Sequence, residues 1–377
     1  MNQKTSLQYF INEEVPHTDL SKQQIIDEIL SLKLIRYVDQ PPRSKQSDKS
    51  GGKSCLNSQM VTTIRSVGQH VIQEIGKKLL SGDLNLTKVS FPIKCSVAQS
   101  ALERVARGTC FFPIYLGKAV QILNNAERLK YVITATIANF FVNCTFLKPL
   151  NPVLGETFQA YYRDGTAVYC EQISHHPPIT YYLCIGKGFR CYGYYVYETK
   201  AGLNSLTLKN KGVRTVEFLD DKNNVIQKII YNFGEENYSG IFFGTMKIET
   251  NGILIFKDIK NNIFAQIELA KVKNKPSDYF QGIIQENNIT ISNVFGSYMS
   301  HIEFDEVRYW DYRQGLPLKL LHEQKPIKSD SSFREDLQLL SMNAVNQAQK
   351  AKEQIENNQR QDAILRKNNQ QNQELVK

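Results

Sequence analysis

The spacing of hydrophobic and polar positions changes near residue 156. After it, short aromatic and β-branched runs alternate with polar residues, and turns such as Asp164-Gly165 and Asn251-Gly252 separate many of them. About a dozen such strands with no helix between them predict an antiparallel meander, closed or nearly closed into a barrel over about 156–310. A barrel of this size has room for a ligand cavity.

Before residue 156 the hydrophobic residues recur at helical spacing. Ser21 and Gln24 form a capping-box pattern at the start of an amphipathic segment, and the breaker-rich stretch "QPPRSKQSDKSGGKSC" follows. We therefore expect residues 1–57 to form an N-terminal appendage, made of an amphipathic helix and a flexible linker. Docking of this helix on the main domain and contact with a membrane both remain open.

Three further helical patterns precede the strands. The stripe in "MVTTIRSVGQHVIQEIGKKLLSG" ends at Gly82, a plausible C-cap, and leads into an extended piece, "DLNLTKVSFPIKCSV". Ser100 with Glu103 suggests a second capping box. A helical run over about 116–144 is predicted to break near Asn124-Asn125.

Residues 131–147 carry no charge, which raises the question of a membrane span. Polar residues interrupt the run, and it is shorter than the roughly 20 apolar residues that a span needs. The pattern predicts a buried core helix.

The composition narrows the class of protein. The chain has 377 residues, of which 41% are hydrophobic, and a formal charge of +9 that favours anionic partners, either lipid or nucleic acid. Its seven cysteines contain no C-x-x-C pair, and its start lacks the apolar core of a signal peptide. We expect a cytoplasmic protein with reduced thiols.

The stretch "EQISHHPPIT" places His175 and His176 side by side before two prolines. Adjacent residues of a strand point to opposite faces, so joint chelation of a metal is disfavoured. Acid/base catalysis has no accompanying nucleophile motif, and a purely structural role stays open. Because Pro177 and Pro178 restrict the backbone, His176 is expected to be held extended at a strand end, which suits a rigid donor to an anion.

Two other stretches carry candidate ligands for an anion. In "LKPLNPVLGETF", Lys148 and Asn151 lie on a proline-rich loop that fits a phosphate, although an ordinary loop is the alternative. Near the C-terminus, Lys352, Glu356 and Arg360 recur at i, i+4 and i+8, with the acid placed to orient both cations. A solvated ion-pair ladder is the alternative there.

Together these stretches resemble the oxysterol-binding protein-related family of lipid-transfer proteins. "EQISHHPPIT" is similar to the family's E-Q-x-S-H-H-P-P signature, "KPLNPVLGETF" to its K-P-x-N-P-x-L-G-E motif, and the closing helix to its K-x-x-x-E-x-x-x-R spacing. The resemblance covers about residues 61–367. It departs from the family at Tyr298, where a tryptophan is frequent, and in "IENNQR", where an acidic pair is usual.

The resemblance implies an α+β fold, with a large incomplete antiparallel β-barrel around helices that encloses a lipid tunnel. Residues 58–367 would form this lipid-binding domain, with an N-terminal lid at about 71–94 and a C-terminal helical part at about 326–367. A disordered tail, 368–377, would follow. The resemblance also implies phosphatidylinositol 4-phosphate as ligand, its headgroup held by Lys148, Asn151, His175, His176, Lys352 and Arg360, with Glu356 positioning the last two.

The expected function is transfer of one lipid, a sterol or phosphatidylserine, between membranes in exchange for phosphatidylinositol 4-phosphate. We expect a monomer that is peripherally associated with anionic membranes and needs no metal or cofactor. A lipid sensor of the same fold is the alternative within this class. An enzyme acting on phosphoinositides lacks a nucleophile, and nucleic-acid binding is disfavoured because the basic residues are dispersed.

Overall fold

The computed structural model describes residues 15–32, 34–36, 40–79, 92–143, 145–146 and 148–375. Its α-helices are α1 (Lys22–Ser31), α2 (Ser58–Leu79), α3 (Ala101–Arg107), α4 (Phe112–Val120), α5 (Asn125–Asn143), α6 (Glu335–Ser341) and α7 (Val345–Leu375). Short 3-10 turns lie at Ile93–Cys95 and Ser331–Phe333.

The strands begin with four that precede the meander: β1 (Ile35–Arg36), β2 (Lys53–Ser54), β3 (Ser96–Ser100) and β4 (Lys148–Leu150). The others are β5 (Thr157–Tyr161), β6 (Ala167–His175), β7 (Pro178–Gly186), β8 (Phe189–Ala201), β9 (Ser205–Asn210), β10 (Val213–Leu219), β11 (Val225–Asn232), β12 (Glu235–Ser239), β13 (Lys247–Asp258), β14 (Ile263–Leu269), β15 (Tyr279–Glu286), β16 (Ile289–Ser297), β17 (His301–Phe304), β18 (Val307–Asp311) and β19 (Leu321–His322).

The described strands form one 17-stranded sheet and a separate parallel pair, β3 with β4. The paired strands of the large sheet are antiparallel, as the period-two pattern predicts. Strands β8 and β13 are long enough to pair with two sets of neighbours, because one half of each continues the main wall and the other half joins β9, β12 and β2. The wall runs from β19 and β5 round to β18 and β1 without closing, so the barrel is incomplete.

Helix α5 lies in the core that the sheet surrounds. It begins after Asn124, whose side chain accepts a hydrogen bond from the Glu127 amide at 2.8 Å, and α4 ends at Val120, so the predicted break is confirmed. Most of its residues are buried, as predicted for a core helix. Among the described helices, none has both the length and the apolar character needed to cross a bilayer.

The N-terminal helix packs on the main body. The capping box of Ser21 and Gln24 is confirmed, and the buried Ile25 belongs to the main hydrophobic core. The helix is therefore docked, which is one of the two alternatives that the sequence leaves open. In the stretch predicted as a linker, Arg43 pairs with the buried Asp278, and β2 extends the sheet beside β13.

The predicted lid falls partly outside the described residues, because 80–91, with Gly82, are not among them. In the first turn of α2, Met60 packs against Cys55 and Met246. Farther along the helix, Gly68 lies so close to Phe242 that a Cβ at this position would be 2.7 Å from the ring. The extended piece predicted to end near residue 97 contains a 3-10 turn, Ile93–Cys95, before β3.

The C-terminal helices pack against β4 and the 3-10 turn Ile93–Cys95 through a second small core. Ile93, Leu150, Leu337, Leu340 and Ala348 form it, and the Gln349 side chain accepts a hydrogen bond from the Ile93 amide at 2.8 Å. Helix α7 continues to Leu375, so helix extends through residues 368–375, where the sequence predicts a disordered tail.

Candidate functional site

A cavity of about 1450 Å³ opens beside the three predicted motifs. Its wall is contributed by α2, α3, α5, α7 and strands from β4 to β13. All seven predicted ligand residues line this one cavity: Lys148, Asn151, His175, His176, Lys352, Glu356 and Arg360. The fold therefore brings together three segments that are distant in sequence.

The proline-rich loop holds Lys148 and Asn151 at the edge of the cavity. Lys148 lies on β4, paired with Ser96 of β3, and its Nζ lies 3.3 Å from Asn151 Oδ1. The loop ends at Gly155, whose φ of 80° favours glycine, and the Gly155 amide donates to the Gln172 carbonyl at 2.8 Å. This bond fixes the loop to β6 shortly before the histidine pair.

A buried cluster of charged side chains, Glu156, Arg334 and Asp336, holds the same loop in place. The Glu156 carboxylate accepts from Ser100 Oγ at 2.5 Å, from the Val153 amide at 2.9 Å and from Arg334 Nη1 at 2.8 Å. Arg334 also donates to the Asn151 carbonyl at 2.8 Å and forms two bonds with Asp336. Arg334 thus connects the loop to the start of α6.

The histidine pair lies at the turn between β6 and β7. Its rings are 4.5 Å apart between centroids and inclined by 62°, so the prediction that they point to opposite faces is wrong. The register of β6 shifts between Gln172 and Ser174, and the strand ends at His175, so regular alternation stops before His176. His175 Nδ1 is buried and has no hydrogen-bond partner among the described residues.

Helix α7 places its three predicted residues on one face. Glu356 accepts from Lys352 Nζ at 2.5 Å and from Arg360 Nη2 at 3.4 Å, which is the bridging arrangement expected from their spacing. The Lys352 side chain is 11% exposed, whereas that of Arg360 is 64% exposed. Lys352 is therefore the shielded cation of the pair.

The electrostatic setting of His175 links α7 to the hairpin. Burial lowers the pKa of His175, the neighbouring His176 lowers it further, and Glu356 opposes both effects. Arg366, six residues beyond the predicted triad, also lowers this pKa. Burial and the neighbouring His176 therefore favour the neutral form of His175, and a nearby anion would favour its protonation.

Several residues of the site were not identified from the sequence. Arg334, Glu156 and Gln172 position the predicted ligands, and Gln172 donates to the Ser174 carbonyl at 2.7 Å while accepting from Thr180 at 2.6 Å. The glutamate and the glutamine lie within the two quoted motifs, whereas nothing in the local pattern marks Arg334. Its role depends on a contact across about half of the chain.

Three buried thiols, Cys170, Cys184 and Cys191, lie on neighbouring strands of the sheet. Burial raises the pKa of Cys191 to about 11 and raises those of Cys170 and Cys184 as well, so these thiols are protonated at neutral pH. In the part of the chain that the structure describes, no three His, Cys, Asp or Glu residues come together as metal ligands.

Comparison with known sequences identifies relatives over most of the chain. The sequence profile described as Oxysterol-binding protein matches residues 72–326. Oxysterol-binding protein 9 of Dictyostelium discoideum is 29% identical over 350 residues, which span 84% of this chain and 80% of that protein. Oxysterol-binding protein homolog 7 of Saccharomyces cerevisiae is 25% identical over 315 residues, spanning 78% of this chain and 72% of that protein.

Solved structures show the same fold. The Osh1 ORD domain in complex with cholesterol superposes with a TM-score of 0.67 at 17% identity, covering 93% of this chain and 88% of that chain. The Osh3 ORD of Saccharomyces cerevisiae in complex with PI(4)P gives a TM-score of 0.64 at 17% identity, with coverage of 90% and 89%. The incomplete antiparallel barrel with helices, which the family resemblance implied, is thereby confirmed.

Proposed function

Since the chain belongs to the oxysterol-binding protein family, we propose that it binds one lipid in its cavity and transfers that lipid between membranes. The observation that carries this proposal is the position of the seven predicted ligand residues, which lie together on the wall of one large cavity. A polar site beside a large cavity suits a molecule with an ionic head and apolar tails.

The interior of the cavity is suited to lipid tails. Ile64, Phe140, Phe233, Leu208 and Leu254 contribute apolar surface to its wall. Keeping a tail out of water is worth about 0.8 kcal/mol for each buried methylene. A protein that shields the tails throughout the journey removes most of this barrier to transfer.

The polar site suits a phosphate monoester on the headgroup, and we propose phosphatidylinositol 4-phosphate as the ligand. Lys148, Lys352 and Arg360 supply positive charge, and the pair of imidazoles supplies further donors. The Nδ1 of His175, which has no hydrogen-bond partner among the described residues, is a position that a phosphate oxygen would fill. Glu356 would keep the two α7 cations directed to one side.

We propose a sterol or phosphatidylserine as the second cargo, exchanged against the phosphoinositide. Both ligands would use the same cavity, so binding of one would exclude the other. A difference in phosphoinositide content between two membranes would then give transfer a direction.

Exposed apolar residues near the cavity mouth suit transient contact with a membrane. Leu203, which lines the cavity, is 97% exposed, and Ile364 and Phe243 are also exposed. The Asn204 side chain donates to the Phe243 carbonyl at 3.0 Å and accepts from the Phe242 amide at 2.8 Å, which holds the two loops together. We propose that these loops enter the bilayer surface during lipid exchange.

The test is a transfer assay between donor liposomes with phosphatidylinositol 4-phosphate and acceptor liposomes with sterol or phosphatidylserine. Wild type should extract one phosphoinositide per chain, and the double variant His175→Ala, His176→Ala should not. Sterol binding and the thermal unfolding midpoint of the variant serve as controls and should change little. Phosphoinositide extraction retained by the double variant would refute the headgroup site.

The same assay separates the alternatives. Tight extraction with very slow delivery would indicate a sensor, and release of inorganic phosphate from the headgroup would indicate an enzyme. A protein that takes up no lipid from either liposome would refute the transfer function while leaving the fold unaffected.

A further inference from the structure

The inner wall of the cavity carries a buried cation, Arg214 of β10. It is 3% exposed and lines the cavity. Its guanidinium carbon lies 5.0–5.9 Å from the centroids of five aromatic rings, those of Phe112, Tyr182, Tyr195, Tyr231 and Phe233. The side chain is thus held in an aromatic cage at the cavity wall.

The hydrogen-bond partners of Arg214 carry no charge. Its Nη2 donates to the Tyr195 hydroxyl and its Nη1 lies 3.5 Å from the Tyr231 hydroxyl, whereas its Nε is buried without a partner among the described residues. Burial raises the pKa of Tyr231 to about 12 and raises that of Tyr195 as well, so both phenols are neutral at pH 7. The guanidinium of an arginine, in contrast, keeps its positive charge at pH 7.

No carboxylate in the described part of the chain forms an ion pair with Arg214. Two carboxylates of the described residues line the cavity, and both are engaged elsewhere. Glu356 bridges Lys352 and Arg360 at the mouth. Glu236 accepts from the Tyr238 hydroxyl at 2.9 Å, and the cation that acts on it is Arg104.

A buried charge without a counter-charge is costly, and cation–π contacts offset only part of that cost. A ligand that brings its own anion removes this cost. A guanidinium also matches a carboxylate geometrically, because two of its donors can contact both oxygens. The unpartnered Nε is one donor still available for such a contact.

We propose that Arg214 forms a second polar site, at the inner wall of the cavity, for a carboxylate carried on an apolar body such as a fatty acid or a carboxylated sterol. This inference rests on the proposed function, in that it takes the cavity to hold a lipid. Such a ligand enters carboxylate first, whereas a phosphoinositide held at the mouth directs its tails inward. The two ligands therefore compete for one volume with opposite orientations.

The test compares two ligands that differ only at the polar end. The full chain, stripped of lipid, is titrated with oleate and with oleyl alcohol by isothermal calorimetry. A hydrogen bond between charged groups predicts that wild type prefers oleate by about tenfold or more. The ratio of the affinity for oleate to that for oleyl alcohol should fall to about one in Arg214→Met and should largely persist in Arg214→Lys.

The matched control is Arg36→Met, which removes an exposed arginine of β1 that does not line the cavity. It should keep the full preference for oleate. A parallel titration with cholesterol and a sterol bearing a side-chain carboxylate identifies the apolar body, because the better-fitting body should show the larger preference for its acid. The wild-type comparison is informative even if Arg214→Met fails to fold.

Equal binding of the acids and their neutral counterparts by wild type would overturn the proposal, as would an unchanged preference in Arg214→Met. If Lys352→Met loses the preference for oleate while Arg214→Met keeps it, the carboxylate binds at the mouth, and the proposal is also overturned. If phosphoinositide extraction is normal while neither acid binds, only this second site is refuted. Failure of both phosphoinositide extraction and sterol binding would instead refute the proposed function.

Discussion

Replacement of Arg334 by methionine should destabilise the protein and weaken lipid binding together. The change removes bonds of 2.8 Å to Glu156 and to the Asn151 carbonyl, and both bonds to Asp336. The two acidic side chains are 1% and 0% exposed, so neither carboxylate gains water in exchange. Two buried charges lose their shared cation.

Breaking a buried ion pair from one side costs about 3–5 kcal/mol. Glu156 keeps its bonds from Ser100 and the Val153 amide, and Asp336 keeps one from the Leu337 amide at 2.9 Å, which limits the loss. We therefore expect a loss near the lower end of that range, about 3 kcal/mol in the free energy of unfolding. With an m-value of about 3 kcal/mol per M, this loss lowers the urea midpoint by about 1 M. The matched control is Arg163→Met, which breaks an exposed pair with Asp19 and should leave the urea midpoint nearly unchanged.

The deficit of Arg334→Met should depend on pH. Burial raises the pKa of Glu156, and Arg334 opposes that rise, so the variant's glutamate takes up a proton at a higher pH than wild type does. Its folded-state pKa then lies above the unfolded value of about 4.3. The loss of unfolding free energy in the variant is therefore greatest above the pKa of its folded-state Glu156. The loss becomes smaller as pH falls through that pKa, because protonation removes the uncompensated charge of Glu156.

Urea unfolding followed by circular dichroism, at about pH 7.5 and at about pH 5.5, measures both effects. Adding Glu156→Gln to Arg334→Met should recover part of the loss, since the neutral amide no longer needs the cation. A deficit below about 1 kcal/mol at the higher pH would refute the assignment of Arg334 as the cation that holds the loop. Intact phosphoinositide affinity in a destabilised variant would refute its role in positioning Asn151.

Three further predictions concern ligand binding. Burial lowers the pKa of His175, and a bound phosphate would raise it, so phosphoinositide affinity should increase about two- to fivefold from about pH 8 to about pH 6.5. His175→Asn should abolish this increase. A wild-type affinity that does not change with pH would contradict protonation of His175 on binding. Lys352→Met should weaken extraction about tenfold or more, and Arg360→Met less, because the lysine is shielded from solvent; unchanged affinity in both would leave the α7 residues as a solvated ladder. Leu203→Asp should slow transfer between liposomes but should not weaken binding of a soluble short-chain phosphoinositide. The control, Leu123→Asp, changes a residue that is 94% exposed and does not line the cavity, and it should alter neither transfer nor binding. Equal transfer rates for the two variants would refute membrane entry at the Leu203 loop.

Most of the elements that depend on neighbours in sequence were predicted correctly. The period-two runs after residue 156 form the antiparallel sheet, Ser21 and Gln24 form the capping box of α1, and the chain leaves the helix before Asn125. The second capping box is only half formed. Ser100 caps α3, but Glu103 bonds with Gln99 and Arg107 instead of the cap backbone.

Other features depended on contacts between distant residues. The histidine rings come within 4.5 Å because β6 is irregular and ends at His175, which a rule based on strand alternation does not anticipate. The stretch "QPPRSKQSDKSGGKSC", predicted to be a flexible linker, contains Arg43, whose partner Asp278 lies 235 residues away. The local pattern of polar and breaker residues does not encode such a partner.

By itself, the sequence determined the strands, the main helices and the residue types of the candidate site, because alternation, capping and proline act over a few residues. Only the tertiary structure decided that Lys148, His175 and Lys352 line one cavity, since their proximity depends on the curvature of the sheet and on the packing of α7 against β4. It also decided the environment of Arg214, which reads in the sequence as one polar residue of a strand. Burial and the absence of a counter-charge are properties of the folded chain, set by which surfaces the sheet encloses.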